Sequence, residues 1–241
     1  MRYSYNLLAK LVDLRGLKPA DLAAALNAKS FEVEGLEGVK HFGIQDTILL
    51  IETGKTNRVD ALSHWGMARE IGALTGRKLK QNFESSLPIY RLASPRSGPT
   101  NGQAALHLKI NSRLCRAYAA WRFAEVQVRE SPAWLKSYLL GCALKPINNV
   151  VDTANFVMLL TGQPLHAFDA ALLRGNMLEV RSANRGETVL TLDGEVLKLA
   201  PEDLVIADGK GPVALAGIKG GAGTGITADT KEIVLEAANF E

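Results

Sequence analysis

Residues 145–169 read KPINNVVDTANFVMLLTGQPLHAFD, and the local structure of this stretch decides which fold surrounds it. Apolar residues recur at helical spacing from about Asn148 to Thr161, and Gly162 supplies the stop. Just upstream, SPAWLKSYLLGCAL (131–144) predicts a second helix, with Ser131 as N-cap and Pro132 in its first position. Strand signals flank the two helices. Before them stand LHLKI and AYAAWRFAEVQV. After them come LEVRSA, TVLTLDGEVLKLA with Asp193-Gly194 as a hairpin turn, EDLVIADG, PVALAGI and EIVLEAA. Strands on both sides of two helices predict an α+β domain with a mixed sheet over 105–241.

Working outward, SSLPIYRLASPRSGPTNG (85–102) is dense in proline, glycine and serine and marks a linker, placed at 82–104. Ahead of it, residues 1–81 predict a smaller α+β domain. Pro19 opens a helix in PADLAAALNA, Phe31, Val33 and Leu36 alternate like a strand, and TILLIE is a short apolar strand. ALSHWGMAREIGALTG is an amphipathic helix closed by Gly76.

Composition narrows the function classes. Hydrophobic residues make up 47% of 241, enough for one or two cores, and 28 basic against 25 acidic residues permit an RNA partner without demanding one. No segment reaches the roughly 18 to 20 apolar residues that cross a bilayer, and the N-terminus lacks a secretory pattern, so no membrane role and a cytoplasmic location are expected. Cys115 and Cys142 stand far apart, without a Cys-x-x-Cys pair or a neighbouring histidine. They are expected to be buried, reduced thiols, and no metal site is expected.

The stretch 145–169 resembles the signature of phenylalanine–tRNA ligase beta subunits. TLDGEVLKLAPEDLVIADG, PVALAGIKGG and LEAANFE follow in the family's order, and SYNLLAKLVD, FEVEGLE and NRVDALSHWGMAREIGALTG resemble its first module. The resemblance implies a small N-terminal B1-like α+β domain followed by a larger B3/B4-like editing domain. It also implies work on the acceptor end of the phenylalanine tRNA, in a heterotetramer with alpha subunits. ATP and magnesium are implied for the complete enzyme and no cofactor for this chain. Three departures stand out. The family's OB-fold tRNA-binding insertion is missing where GLEGVKHFGIQDTILLIE joins the halves of the first module. KTNRVD replaces the family's two-proline motif, and Lys145 replaces its arginine. The family's pocket-closing segment is expected beyond Glu241.

The resemblance also implies a site at which tyrosine mischarged onto the tRNA is hydrolysed. Glu236 matches the glutamate that meets the tyrosine phenol, His166 the histidine near the ester, and Asn155 an asparagine after a pocket threonine that here is Ala154. Gly217, Gly220 and Gly221 match the backbone wall beside the aromatic ring. Asn149 is counted with the substrate-binding set, although it and Asn148 also fit a backbone-bonding turn. His166 and Asn155 are the candidate catalytic pair. The chemistry is sound: a pocket that favours phenylalanine leaks an isostere with an added hydroxyl, and a second pocket with a polar receptor rejects it. An aminoacyl ester is already activated, so hydrolysis needs little beyond an oriented water.

Simpler readings compete. Glu236 could be an exposed strand residue, although an acid inside IVLEAA interrupts an apolar run. His166 could close the preceding helix, and Asp169 is expected to cap the following ALLRG helix. Loss of the OB domain and of the pocket threonine leaves open a module that binds RNA or alpha subunit without turnover. An unrelated RNA-binding surface would use Arg113, Arg116 and Arg122 beside Tyr118 and Trp121. Gly54-Lys55-Thr56 is no P-loop, because Leu49 stands where the first glycine belongs. The glycines of AGIKGGAG open no evident dinucleotide fold, and Cys142 with His166 makes a poor nucleophile pair.

Overall fold

The computed structural model describes residues 1–80 and 106–241; the expected linker at 82–104 lies outside the described residues. The chain is α+β and divides into two compact units. Unit 1 comprises residues 1–80 with Glu130–Gln163, and unit 2 comprises 106–129 with Pro164–Glu241. The stretch Glu130–Gln163 was expected in the second domain; it packs instead with the N-terminal elements.

In unit 1 the strands β1 (Arg2–Ser4), β2 (Val33–His41) and β3 (Ile44–Ile51) form an antiparallel sheet in the order β1-β3-β2. Helices α1 (Tyr5–Leu11), α2 (Pro19–Lys29) and α3 (His64–Thr75) surround a core that includes Tyr3, Leu22, Phe31, Leu49, Met67 and Ile71. α1 was not foreseen. Its start is set by Ser4, whose Oγ accepts from Leu7 N at 3.0 Å. β2 and β3 meet at a two-residue turn in which Phe42 (φ 51°) and Gly43 (φ 79°) are both left-handed, the geometry of a tight hairpin. This hairpin stands where the resemblance implies an OB insertion, so the two halves of the first module join directly. The register of β2 shifts between Val33 and Gly35, and Leu36, paired with Leu49, is 40% exposed.

Two further helices complete unit 1: α4 (Ala133–Gly141) and α5 (Asn149–Thr161). α4 lies so close to β3 that a Cβ on Gly141 would stand 2.9 Å from Ile48 Cδ1, and Arg2 Nε donates to Gly141 O at 2.9 Å. α5 is capped at both ends, the Gly162 stop as its sequence predicts and the Asn148 N-cap in addition. Asn148 Oδ1 accepts from Val150 and Val151, and Gly162 turns left-handed at φ 84°. Ser131 is not the cap of α4; Pro132 occupies that position, and Ser131 Oγ donates to buried Asp152 Oδ2 at 2.5 Å. The other oxygen of Asp152 accepts from Ile147 N at 2.8 Å, so one carboxylate fixes the approach to α4 and the approach to α5.

In unit 2, β4 (His107–Ile110) pairs in parallel with β7 (Met177–Ser182), and β10 (Leu204–Ala207), β11 (Pro212–Leu215) and β12 (Lys219–Gly220) extend that sheet antiparallel in the order β12-β11-β10-β7-β4. The sheet is mixed, as expected. A second sheet runs β5 (Cys115–Phe123), β13 (Ile233–Phe240), β6 (Leu165–Asp169), with β13 in the centre. Side chains of both sheets share one core, with Tyr118, Phe168 and Val234 from one and Leu178, Val180 and Ile206 from the other. β5 ends at Phe123 rather than continuing to Val128, since Glu125 adopts φ 57°. β8 (Thr188–Leu190) and β9 (Val196–Lys198) form the expected hairpin, with Gly194 at φ 86°. Asp169 caps the short turn after β6, accepting from Ala171 N at 2.9 Å. Cys142 in unit 1 and Cys115 in unit 2 are both free and buried. No helix among the described residues is long and apolar enough to cross a membrane.

Candidate functional site

The site forms where β6 and β5 flank β13. Glu236 sits in the middle strand directly opposite His166 on β6 and Ala120 on β5. Residues paired in this way point to the same face of the sheet. Tyr118, two residues before Ala120, shares that face, and its hydroxyl donates to Glu236 Oε2 at 2.8 Å inside the protein. Glu236 is only 6% exposed and Tyr118 7%, so the simple alternative of Glu236 as a surface strand residue is excluded. No hydrogen bond to Glu236 Oε1 is formed among the described residues. Burial pushes the carboxyl up to about 7, and the Tyr118 hydrogen bond partly offsets this. The phenol of Tyr118 is itself raised, by burial and by the neighbouring carboxylate.

His166 belongs to a strand and does not close the preceding helix. Its ring meets Phe168 edge to face at 4.5 Å between centroids. Nε2 is buried and has no hydrogen-bond partner among the described residues. Burial lowers its pKa, which keeps the imidazole neutral at pH 7 with a nitrogen available for proton transfer.

Each of the three candidate glycines has its own steric reason. A Cβ on Gly220 would stand 2.7 Å from His166 Cε1, so glycine is what lets the β12 backbone lie against the imidazole. Gly217 turns at φ 70°, with Phe240 at 3.0 Å from a hypothetical Cβ. Gly221 abuts backbone, Val213 O lying 2.3 Å from where its Cβ would be. Only Gly220 borders His166 directly; the other two shape the loop that carries it. Unit 2 therefore gathers His166, Glu236, Gly217, Gly220 and Gly221. Asn149, Ala154 and Asn155 lie on α5 of unit 1, with Ala154 buried and the two asparagines half-buried.

Tyr118 is the residue that sequence reasoning placed wrongly, as part of a basic and aromatic surface. The alternation in AYAAWRF held the signal: Tyr118 and Ala120 face inward, whereas Trp121, 45% exposed, faces the other way. Two of the three arginines are also engaged. Arg122 pairs with Glu232 at 2.5 Å and Arg116 with Glu241 at 2.7 Å, so the stripe is not one RNA-facing surface. Among the described residues no group of three or more His, Cys, Asp or Glu side chains is placed to hold a metal ion.

Comparison with known proteins agrees with this architecture. The family profile for the B3/4 domain matches residues 114–241, a stretch that runs through both units. Phenylalanine–tRNA ligase beta subunits are similar along nearly the whole chain. That of Moorella thermoacetica is 39% identical over 231 residues, covering 95% of this chain and 28% of the relative. That of Gloeobacter violaceus is 40% identical over 239 residues, covering 99% and 29%. The chain thus spans less than a third of the length of these curated relatives. With the matched stretch making up more than half of its residues, the chain belongs to the B3/4 domain family.

Proposed function

We propose that this chain serves phenylalanine–tRNA ligation as part of a beta subunit, alongside an alpha subunit, and that unit 2 hydrolyses tyrosine wrongly esterified to the phenylalanine tRNA. The observation that carries the editing step is the buried Glu236 carboxylate. It already accepts from a phenol, that of Tyr118, and stands across the strand pair from a neutral histidine with an unpartnered nitrogen. Tyr118 orients Glu236 through Oε2 and leaves Oε1 for the phenol of a bound tyrosine. Phenylalanine would leave that acceptor unpaired at a cost of about 1–3 kcal/mol, a discrimination of roughly tenfold to a hundredfold.

In the hydrolysis, His166 Nε2 takes a proton from water as the water oxygen attacks the ester carbonyl. When the carbonyl–ribose oxygen bond breaks, the imidazolium returns that proton to the departing ribose oxygen. Free tyrosine and intact tRNA result. The proposed chemistry uses residues of unit 2 alone.

Deacylation of tyrosyl-tRNA(Phe) by the purified chain tests it. His166→Ala should slow hydrolysis by about a hundredfold or more. Glu236→Gln should keep ester hydrolysis and reduce the preference for tyrosine over phenylalanine by about tenfold. A folded wild-type chain that leaves the ester intact, or a His166→Ala variant as fast as wild type, would overturn the editing reading.

A further inference from the structure

Away from the Glu236–His166 site, unit 2 carries a cleft of about 530 Å³ bounded by the β8 strand, the β10–β11 turn and the loop after β12. Four features of its wall point the same way. Arg174 and Lys210 line it, both are exposed, and neither side chain has a hydrogen-bond or ion-pair partner among the described residues. They are held side by side by one buried carboxylate: Asp208 Oδ2 accepts from Arg174 N at 2.9 Å, and Oδ1 accepts from Lys210 N at 2.8 Å and Gly211 N at 3.2 Å. The two acids of the wall are thereby spent. Asp208 is committed to those three amides, and Glu187 is paired through both oxygens with Arg181 at 2.8 Å. Thr224 also lines the cleft. It is 2% exposed, and its buried hydroxyl has no partner among the described residues. Beside it, Gly223 leaves open space where a Cβ would stand, so backbone is free to approach a ligand there.

We propose that this cleft binds a phosphate group, with Arg174 and Lys210 supplying charge and Thr224 a hydroxyl donor. Unpartnered cations, acids already engaged elsewhere and a buried donor without an acceptor form the complement of a tetrahedral oxyanion. The phosphate is either a phosphodiester of bound RNA, which rests on the function proposed above, or a free phosphate, which does not.

Titration of the full chain with inorganic phosphate at constant ionic strength, followed by amide shifts, tests the site. The amides of 186–188, 208–211, 213 and 222–224 should move. Arg174→Ala combined with Lys210→Ala should weaken binding by at least about tenfold. Thr224→Val should leave the free protein as stable as wild type or more so, because it removes an unsatisfied hydroxyl, yet weaken phosphate by about tenfold.

A short uncharged RNA hairpin separates the sources. If phosphate competes with it, and the double variant lowers the slope of log affinity against log salt by about 1, the ligand is a phosphodiester. If the hairpin neither binds nor competes while phosphate still binds, the site takes free phosphate. No amide shifts in the cleft, or phosphate affinity unchanged in the double variant, would overturn the proposal. His166→Ala should bind phosphate like wild type, so failure of the editing chemistry and failure of this site are read separately.

Discussion

Each unit buries an imidazole nitrogen, and the two histidines are held in opposite ways. In unit 1, His64 is 0% exposed and both nitrogens are used: Ser4 N donates to Nε2 at 2.9 Å, and Nδ1 donates to Leu159 O at 2.9 Å. Those bonds fix one neutral tautomer and join β1, α3 and α5. In unit 2, His166 Nε2 is also buried but has no partner among the described residues, and it faces a carboxylate whose own pKa is raised. A fully bonded buried histidine is a structural bolt. One left short of a partner, beside a perturbed acid, costs stability that folding alone does not explain, and such costs gather at sites of chemistry.

The largest expected effect sharpens this contrast. His64→Ala should destabilise unit 1 by about 4 kcal/mol, because it opens a cavity and strands a buried N–H and a buried carbonyl. His166→Ala should destabilise unit 2 by only about 2 kcal/mol, since it gives up the Phe168 ring contact and leaves a cavity but strands no hydrogen-bond partner of Nε2. Amide hydrogen exchange, which resolves the units separately, provides the readout, with the amides of α3 and α5 reporting unit 1. Comparable losses from both variants would break the distinction.

The pH dependence should run in opposite directions. Burial lowers His64 from 6.5 to about 4. The unfolded chain therefore binds the extra proton between those values, and the stabilisation, complete above 6.5, is lost as pH falls through about 4, by about 3 kcal/mol in all. Glu236 is raised from 4.5 to about 7, so here the folded state holds the extra proton. Its contribution is complete below 4.5 and lost as pH rises through about 7, again by about 3 kcal/mol. His166, with its lowered pKa, acts against Glu236 within unit 2, and comparing wild type with Glu236→Gln isolates the carboxylate. The variant should match wild type at pH 4 and be about 3 kcal/mol more stable at pH 8. Equal stabilities at both pH values would mean that Glu236 ionises as it does in water.

Much of this was legible along the chain. Asn148 and Gly162 bracket α5 because caps are local chemistry, and the acid in IVLEAA marked Glu236 because a charge in an apolar strand needs a reason. What was not legible depends on distant partners. Nothing near Gly141 announces that it must fit against Ile48, or that Leu159 will meet a histidine 95 residues away. Those contacts put Glu130–Gln163 in unit 1. Tyr118 was misread for the same reason, because its acceptor lies 118 residues later and reaches it only through the register of β5 on β13.

The smallest effect tests that last contact. Tyr118→Phe keeps the ring in the core and removes only the hydroxyl, so Glu236 Oε2 loses its donor. At pH 8, where the carboxylate is ionised, the loss should cost about 2 kcal/mol, and at pH 4, where the acid is neutral, about 1 kcal/mol. The hydroxyl stabilises the charged form, so its removal should raise the Glu236 pKa further. If Glu236 receives the tyrosine phenol as a carboxylate, the pH at which selectivity for the tyrosyl ester appears should move upward in Tyr118→Phe, while hydrolysis above that pH stays near wild type. An unmoved pH profile with a pH-independent loss of stability would reduce Tyr118 to packing, and would leave the two histidines differing in hydrogen bonding but not in what surrounds them.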